Sequence, residues 1–197
     1  MKGSEGRKLV ILGIVLVVID QVIKILVKTN MGLGEHFDVI GNWFKILFVE
    51  NEGMAFGWAF GGKVGKLILS LFRICLCTAL VFWIRSMCRK NAEARRAGQA
   101  APIPAGVLVG LTLITAGAFG NIIDSLFYGV IWGYAPVLFG KVVDMFYFPL
   151  WTWPDWVPLL GGSIFFEPVF NFADSCVTVG AFYLILFQWK FFARSED

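Results

Sequence analysis

Acidic residues interrupt several apolar stretches of this chain. Asp20, Asp124 and Asp174 lie inside or at the ends of stretches that are otherwise typical of membrane-spanning helices, and the last two occur in the same pattern, Asn-x-x-Asp. A charged group is costly in hydrocarbon, so it is kept mainly where it faces a protein interior or a water-filled cavity. The pattern therefore predicts a functional site within the membrane.

The Asn-x-x-Asp spacing places an amide and a carboxylate on one face of a helix. Residues three apart are neighbours on a helix surface, so Asn121 is expected beside Asp124, and Asn171 beside Asp174. Such an amide can fix the rotamer of the carboxylate, or it can bind a peptide carbonyl while the acid reacts. Both uses require a buried cleft.

Another acid, Asp144, follows two valines in a short β-branched run. An extended segment there can bring Asp144 opposite Asp174. Two carboxylates held close together share a proton, and such a pair activates water and protonates a leaving group, which is aspartic protease chemistry and needs no metal or cofactor. Spacing alone does not choose the pair, because the matched patterns favour Asp124 with Asp174. Each acid also has a structural alternative, such as capping a helix or forming an ion pair.

Two further groups of residues are candidates for supporting roles. Asp20 and Lys24 are one helical turn apart, so they either form an intrahelical ion pair or order the cleft from behind. Asn51 and Gly53 lie in a turn-like segment before the second apolar stretch. It is either a plain turn or a substrate contact in which Asn51 binds backbone and Gly53 permits close approach.

Composition predicts an integral membrane protein. The chain has 197 residues, of which 58% are hydrophobic and 16% charged, and its mean hydropathy is +0.74. This length holds about four spans in a single domain, residues 1–197. The net charge of +3 comes without a dense basic cluster, which argues against nucleic acid, and a single histidine argues against a metal site. The predicted fold is all-α, with spans over residues 10–27, 64–84, 105–127 and 172–192.

Basic residues predict the orientation of the spans. They are concentrated before the first span, between the second and third, and at the C-terminal end, so both termini are expected in the cytoplasm. The polar groups of the site then gather near the outer surface. The first outer segment has short strand-like runs such as residues 43–48. The second is rich in tryptophan and proline and is expected on the outer membrane face as a platform or cap, unless it packs only on its own protein.

Five motifs, taken in order, resemble those of bacterial lipoprotein signal peptidase, also called signal peptidase II. Any one of them is weak, but together they extend from Asp20 to the end of the fourth span. The motifs are Asp20-Gln21-x-x-Lys24, Asn51-x-Gly53-x-Ala55-Phe56-Gly57, Gly117-Ala118-x-Gly120-Asn121-x-x-Asp124, Val142-Val143-Asp144 and Phe170-Asn171-x-Ala173-Asp174.

The resemblance implies an aspartic endopeptidase of the bacterial inner membrane. Members of this family remove the signal peptide from prolipoproteins, cutting just before a diacylglyceryl-modified cysteine, and globomycin-class compounds inhibit them. The resemblance implies that Asp144 and Asp174 are catalytic and that Asp124 is supporting. The other implied site residues line the cleft or belong to the first-span motif: Asn51, Gly53, Asn121, Asn171, Asp20 and Lys24.

Two features depart from the family pattern. Ser125 stands where the family usually has arginine, and Arg73 is a candidate substitute. The stretch between Asp144 and Asp174 is longer than usual. An alternative function is a small proton-coupled transporter or channel, since intramembrane acids also describe an ion path. Such a path would distribute acids through the depth of the bilayer, whereas here they are expected at one level.

Overall fold

The computed structural model describes residues 4–52 and 62–193, and most of them are helical. Long apolar runs favour helix in a membrane because the backbone N–H and C=O groups are then satisfied within one segment. A π-helical turn, Asp124–Tyr128, follows α3. The helices of the described ranges are α1 (Ser4–Asn30), α2 (Gly62–Arg96), α3 (Ala105–Ile123), α4 (Gly129–Ile131), α5 (Phe172–Phe187) and α6 (Trp189–Ala193).

Three helical segments of the described chain are long and apolar enough to cross a membrane: α1, α2 and the continuous stretch Ala105–Ile131. Large apolar side chains are exposed along α1 and α2, as expected of helices that face lipid. The first three predicted spans lie within these segments. Helix α5 has only 16 residues, fewer than the ~20 that usually cross a bilayer. The protein is thus a mostly helical, multi-pass membrane protein, and its fourth span over 172–192 stays a prediction.

The chain forms two compact units. The first comprises the described parts of residues 1–20, 68–123 and 173–197, and the second comprises those of residues 21–67 and 124–172. The single domain over 1–197 also stays a prediction.

In the first unit, glycines let α3 and α5 pack closely. A Cβ added to Gly117 would lie 2.2 Å from the backbone oxygen of Ala173, and one added to Gly180 would lie 2.8 Å from the backbone oxygen of Gly110. Small residues permit such backbone contact between membrane helices. The start of α5 is therefore held directly against α3. The buried apolar core of this unit consists of Leu9, Ile84, Met87, Cys88, Ile103, Val107, Leu108, Leu111 and Leu184.

In the second unit, three strands form an antiparallel sheet in the order β1-β2-β3. The strands are β1 (His36–Ile40), β2 (Phe44–Asn51) and β3 (Val142–Tyr147). The strand predicted from residues 43–48 and the extended segment predicted at Asp144 are both confirmed. The register pairs Asn51 with Val142 and Val49 with Asp144, so the end of β2 lies beside Asp144.

The aromatic outer segment contains a short hairpin rather than only loop. Strands β4 (Trp151–Thr152) and β5 (Ile164–Phe165) pair antiparallel. The ring of Trp151 stacks on that of Phe165 with centroids 3.9 Å apart, and Trp153 meets both rings edge-on. This stacking gives the hairpin a small aromatic core of its own.

Candidate active site

Asp144 is a buried carboxylate held by two asparagine amides. Its side chain is 2% exposed. Asn51 donates from Nδ2 to Oδ2 at 3.0 Å, and Asn171 donates from Nδ2 to Oδ1 at 2.6 Å. Because each carboxylate oxygen has its own amide donor, the rotamer of Asp144 is fixed in the second unit.

Backbone pairing explains how Asn171 reaches Asp144. Phe170 forms an antiparallel bridge with Phe146 in β3, and the N–H of Met145 also donates to the Phe170 carbonyl at 3.1 Å. This pairing places Asn171 beside Asp144. Strand β3 therefore positions both amides that bind Asp144. It positions Asn51 through its pairing with β2, and Asn171 through its pairing with the segment that precedes α5.

Asp174 lies in the first turn of α5, where the helix dipole favours a negative charge. Asn121 near the end of α3 donates to its Oδ1 at 2.8 Å. Asp20, which is buried, accepts the N–H of Ala173 on its Oδ1 at 2.9 Å. Asp20 thus satisfies one of the N–H groups that a helix leaves without an intrahelical partner at its start. In the first unit, Asp20 and Asn121 together order the turn that carries Asp174.

Asp124 is ion-paired rather than held by an amide alone. Lys24 lies 2.7 Å from its Oδ2, and both side chains are 0% exposed. Gln21 donates to Oδ1 at 2.9 Å, and the N–H of Val143 donates to Oδ2 at 3.3 Å. Asp124 therefore joins the end of α1 to β3 at the residue next to Asp144.

Each asparagine of the two Asn-x-x-Asp patterns donates to an acid on another element. Asn121 donates to Asp174 and Asn171 donates to Asp144, so each amide bonds to an acid outside its own Asn-x-x-Asp pattern. Spacing along a helix says which side chains share a face, but it does not reveal the acceptors that a neighbouring element supplies. Asp124 begins the π-helical turn, where the helix widens. Gly53 lies outside the described residues.

A cluster around Glu50 was missed by the sequence analysis. Its carboxylate accepts from Lys28 and lies 3.5 Å from the Nζ of Lys141. The Lys28 ammonium also lies 5.4 Å from the Trp132 ring centroid and 5.2 Å from that of Tyr134, within the range of cation–π attraction. The only available signal was that Glu50 precedes Asn51 in a strand-like run. The cluster anchors β2 one residue before the amide that binds Asp144.

The ionised form of Glu50 is favoured by folding, so we expect the stability that this cluster contributes to be lost in acid. Burial acts to raise the pKa of Glu50, but the Lys28 hydrogen bond and the charges of both lysines outweigh it and lower this pKa below the ordinary glutamate value. A group whose pKa is lowered by folding stabilises the protein above its unfolded pKa, and that contribution is lost as the pH falls through the lowered pKa. We expect Glu50→Gln to lower the apparent Tm by a few degrees at neutral pH and to flatten its decline on acidification. Thermal unfolding from about pH 7 down to about pH 2.5 measures this, because the loss occurs below the ordinary glutamate pKa.

The exposed pair of Asp38 and Lys45 supplies the control. Asp38 is 51% exposed in its ion pair, so Asp38→Asn should leave the acid profile close to that of the wild type. Identical declines for Glu50→Gln and the wild type would show that the carboxylate does not stabilise β2.

Comparisons with known proteins identify relatives over nearly the whole chain. The family model described as Signal peptidase (SPase) II matches residues 12–190. The lipoprotein signal peptidase of Porphyromonas gingivalis is 43% identical over 92% of this chain and 83% of its own length. That of Amoebophilus asiaticus is 37% identical over 86% of this chain and 72% of its own length.

Solved structures show the same fold. A bacterial membrane enzyme determined by the in meso method at 2.3 Å resolution has a TM-score of 0.63 and 25% identity, covering 95% of this chain and 91% of its own. A second such enzyme, at 1.9 Å resolution, has a TM-score of 0.60 and 27% identity, covering 91% of this chain and 90% of its own.

Proposed function

Because the chain belongs to the signal peptidase II family and is therefore a lipoprotein signal peptidase, we propose that it cleaves by an aspartic mechanism with Asp144 and Asp174 as the catalytic pair. The observation that carries this proposal is the buried Asp144 carboxylate with an asparagine amide on each oxygen. Asp174 is held in a similar way by Asn121. Two carboxylates of fixed rotamer suit a reaction that needs acids in defined positions.

Asp124 is better suited to a supporting role. Its carboxylate neutralises the buried ammonium of Lys24 and also accepts the N–H of Val143. Protonation of Asp124 would remove this counter-charge from a buried lysine, which is costly. Of the acids weighed from the sequence, Asp144 thus remains the partner that we propose for Asp174.

In the proposed reaction the two acids share one proton. The ionised acid removes a proton from water as the water oxygen attacks the scissile carbonyl carbon, and the C–O bond forms while the carbonyl electrons move to oxygen. The protonated acid then donates its proton to the leaving nitrogen as the C–N bond breaks. The amides of Asn51 and Asn171 support the pair by holding Asp144 and by donating to the tetrahedral oxygen as it develops charge.

The proposed substrates are prolipoproteins whose cysteine already carries a diacylglyceryl group, with cleavage just before that cysteine. We propose that both termini lie in the cytoplasm of the bacterial cell, that the protein resides in the inner membrane, and that the site lies near the periplasmic face. The signal helix then enters sideways from the bilayer while the lipidated cysteine stays at the outer interface. Globomycin-class compounds would occupy the same cleft.

Incubation of the purified protein in lipid with a diacylated precursor tests the proposed function. We expect mass spectrometry to show one cut, immediately before the modified cysteine, and globomycin to suppress it. The matched control is the same precursor without the diacylglyceryl group, which should be cleaved far more slowly. Equal cleavage of both precursors, or a cut elsewhere, would contradict the proposed specificity. Family membership disfavours the transporter alternative, and an absence of ion flux in proteoliposomes would agree with that.

A further inference from the structure

The β4–β5 hairpin ends in an exposed apolar turn. We define residues 154–161 as the hairpin tip; its sequence is Pro-Asp-Trp-Val-Pro-Leu-Leu-Gly. The Trp156 side chain is 81% exposed and Leu159 is fully exposed at 104%. Large apolar side chains grouped in this way on a protein surface mark a contact with a membrane or another partner.

Backbone hydrogen bonds order the part of the hairpin next to the tip. The N–H of Trp153 donates to the Ser163 carbonyl, and that of Gly162 donates to the Trp153 carbonyl, both at 2.9 Å. Below them lies the aromatic core of the hairpin. Leu159 has a φ of 66°, a conformation that residues other than glycine rarely adopt. The structure therefore holds this leucine outward at a conformational cost instead of folding it onto the hairpin.

The charge pattern narrows the choice of partner. Asp155 is the only charged residue between residues 148 and 166, and no lysine or arginine occurs between Lys141 and Lys190. The tip therefore has no cation of its own with which to bind a phosphate, so a lipid contact would rest mainly on its apolar side chains. Pro154 and Pro158 lack backbone N–H donors, which lowers the number of polar groups that would lose water in a less polar layer.

We propose that the hairpin tip inserts into the interfacial layer of the bilayer that holds the apolar helices. Trp156 lies among the lipid headgroups and Leu159 reaches the first acyl carbons. Tryptophan prefers this layer because its ring is apolar and its N–H finds a polar partner. The polar carboxyl group of Asp155 keeps the insertion shallow. The bilayer is the favoured occupant because the protein is already embedded in it, and this inference does not depend on the proposed catalytic pair.

Tryptophan fluorescence of the full chain in phosphatidylcholine nanodiscs tests the inserted tip. The emission of Trp156 is obtained as the difference between the wild type and Trp156→Phe, a mild change at an exposed position. We expect this emission to be quenched by lipids brominated on the upper acyl chain. We also expect its quenching by acrylamide to be roughly threefold weaker than that of a free tryptophan peptide.

Leu159→Ser should increase the access of acrylamide to Trp156, whereas Leu33→Ser, at another exposed leucine outside the hairpin, should not. Because the contact is apolar, these values should also be insensitive to salt. Acrylamide quenching of Trp156 equal to that of the free peptide would overturn the proposal. Protection that arises only when precursor is added, or only when two copies share a nanodisc, would also overturn it, since the occupant would then be substrate or a second chain.

Discussion

Asp144→Asn and Asp174→Asn are each expected to lower the rate of precursor cleavage by at least about 1,000-fold, since cleavage needs both a base for the attack of water and an acid for the leaving nitrogen. Asparagine keeps the size of the side chain but can neither remove a proton from water nor donate one as an acid does. The measurement is the initial rate with a diacylated precursor at saturating concentration. The double variant should be little slower than either single variant, because the two groups act as one unit.

The folded state of each variant has to be checked separately, because Asp144 and Asp174 both accept buried or partly buried amides. The apparent Tm should fall by only a few degrees, since an asparagine oxygen still accepts one hydrogen bond. Asp38→Asn, in an exposed ion pair, should retain the full rate. If either site variant folded and kept substantial turnover, that acid would not belong to the catalytic pair.

Local sequence patterns predicted the elements of this fold well because each element depends on its own residues. Runs of about twenty apolar residues predict helices, and the β-branched pair Val142-Val143 predicts the strand that carries Asp144. The end of α5 at Phe187 was not predicted, because the apolar pattern continues past it. In the structure the helix breaks at Gln188, and α6 begins at Trp189. The hairpin at 151–165 was not predicted either, since its two-residue strands are stabilised by ring stacking between residues far apart in sequence.

The candidate site residues were predictable, but their contacts with residues distant in the sequence were not. The spacing of Asn121 and Asp124 is a property of one helix, whereas the acceptor of Asn121 is set by the packing of α3 against α5 at Gly117. In the same way, the one-turn spacing of Asp20 and Lys24 does not reveal that Lys24 also pairs with Asp124 or that Asp20 also accepts the N–H of Ala173. Tertiary contacts of this kind leave no periodic trace in the sequence.

Breaking the buried ion pair of Lys24 and Asp124 is expected to cause the largest loss of stability among the substitutions considered. Lys24→Met removes the cation that contacts the buried Asp124 carboxylate, and Asp124→Asn removes the carboxylate charge that contacts the buried Lys24 ammonium. Removing one partner of such a pair costs about 3–5 kcal/mol in the free energy of unfolding. The measurement is denaturation in mixed micelles. A cost near that of an exposed pair, about 1 kcal/mol or less, would contradict the assigned ion pair.

A double-mutant cycle separates the ion pair from the other bonds of Asp124. In Lys24→Met with Asp124→Asn, neither charge remains, and the new amide oxygen at position 124 can still accept the N–H of Val143. The double variant should therefore be more stable than the sum of the single losses predicts, by about 2 kcal/mol or more. The cleavage rate of the double variant, measured under conditions where it is folded, tests whether β3 still holds Asp144 in position. A rate close to the wild type means that the N–H bond suffices to position Asp144, whereas a large loss means that the lysine is also needed. Additive losses of stability would show that Lys24 and Asp124 are stabilised independently.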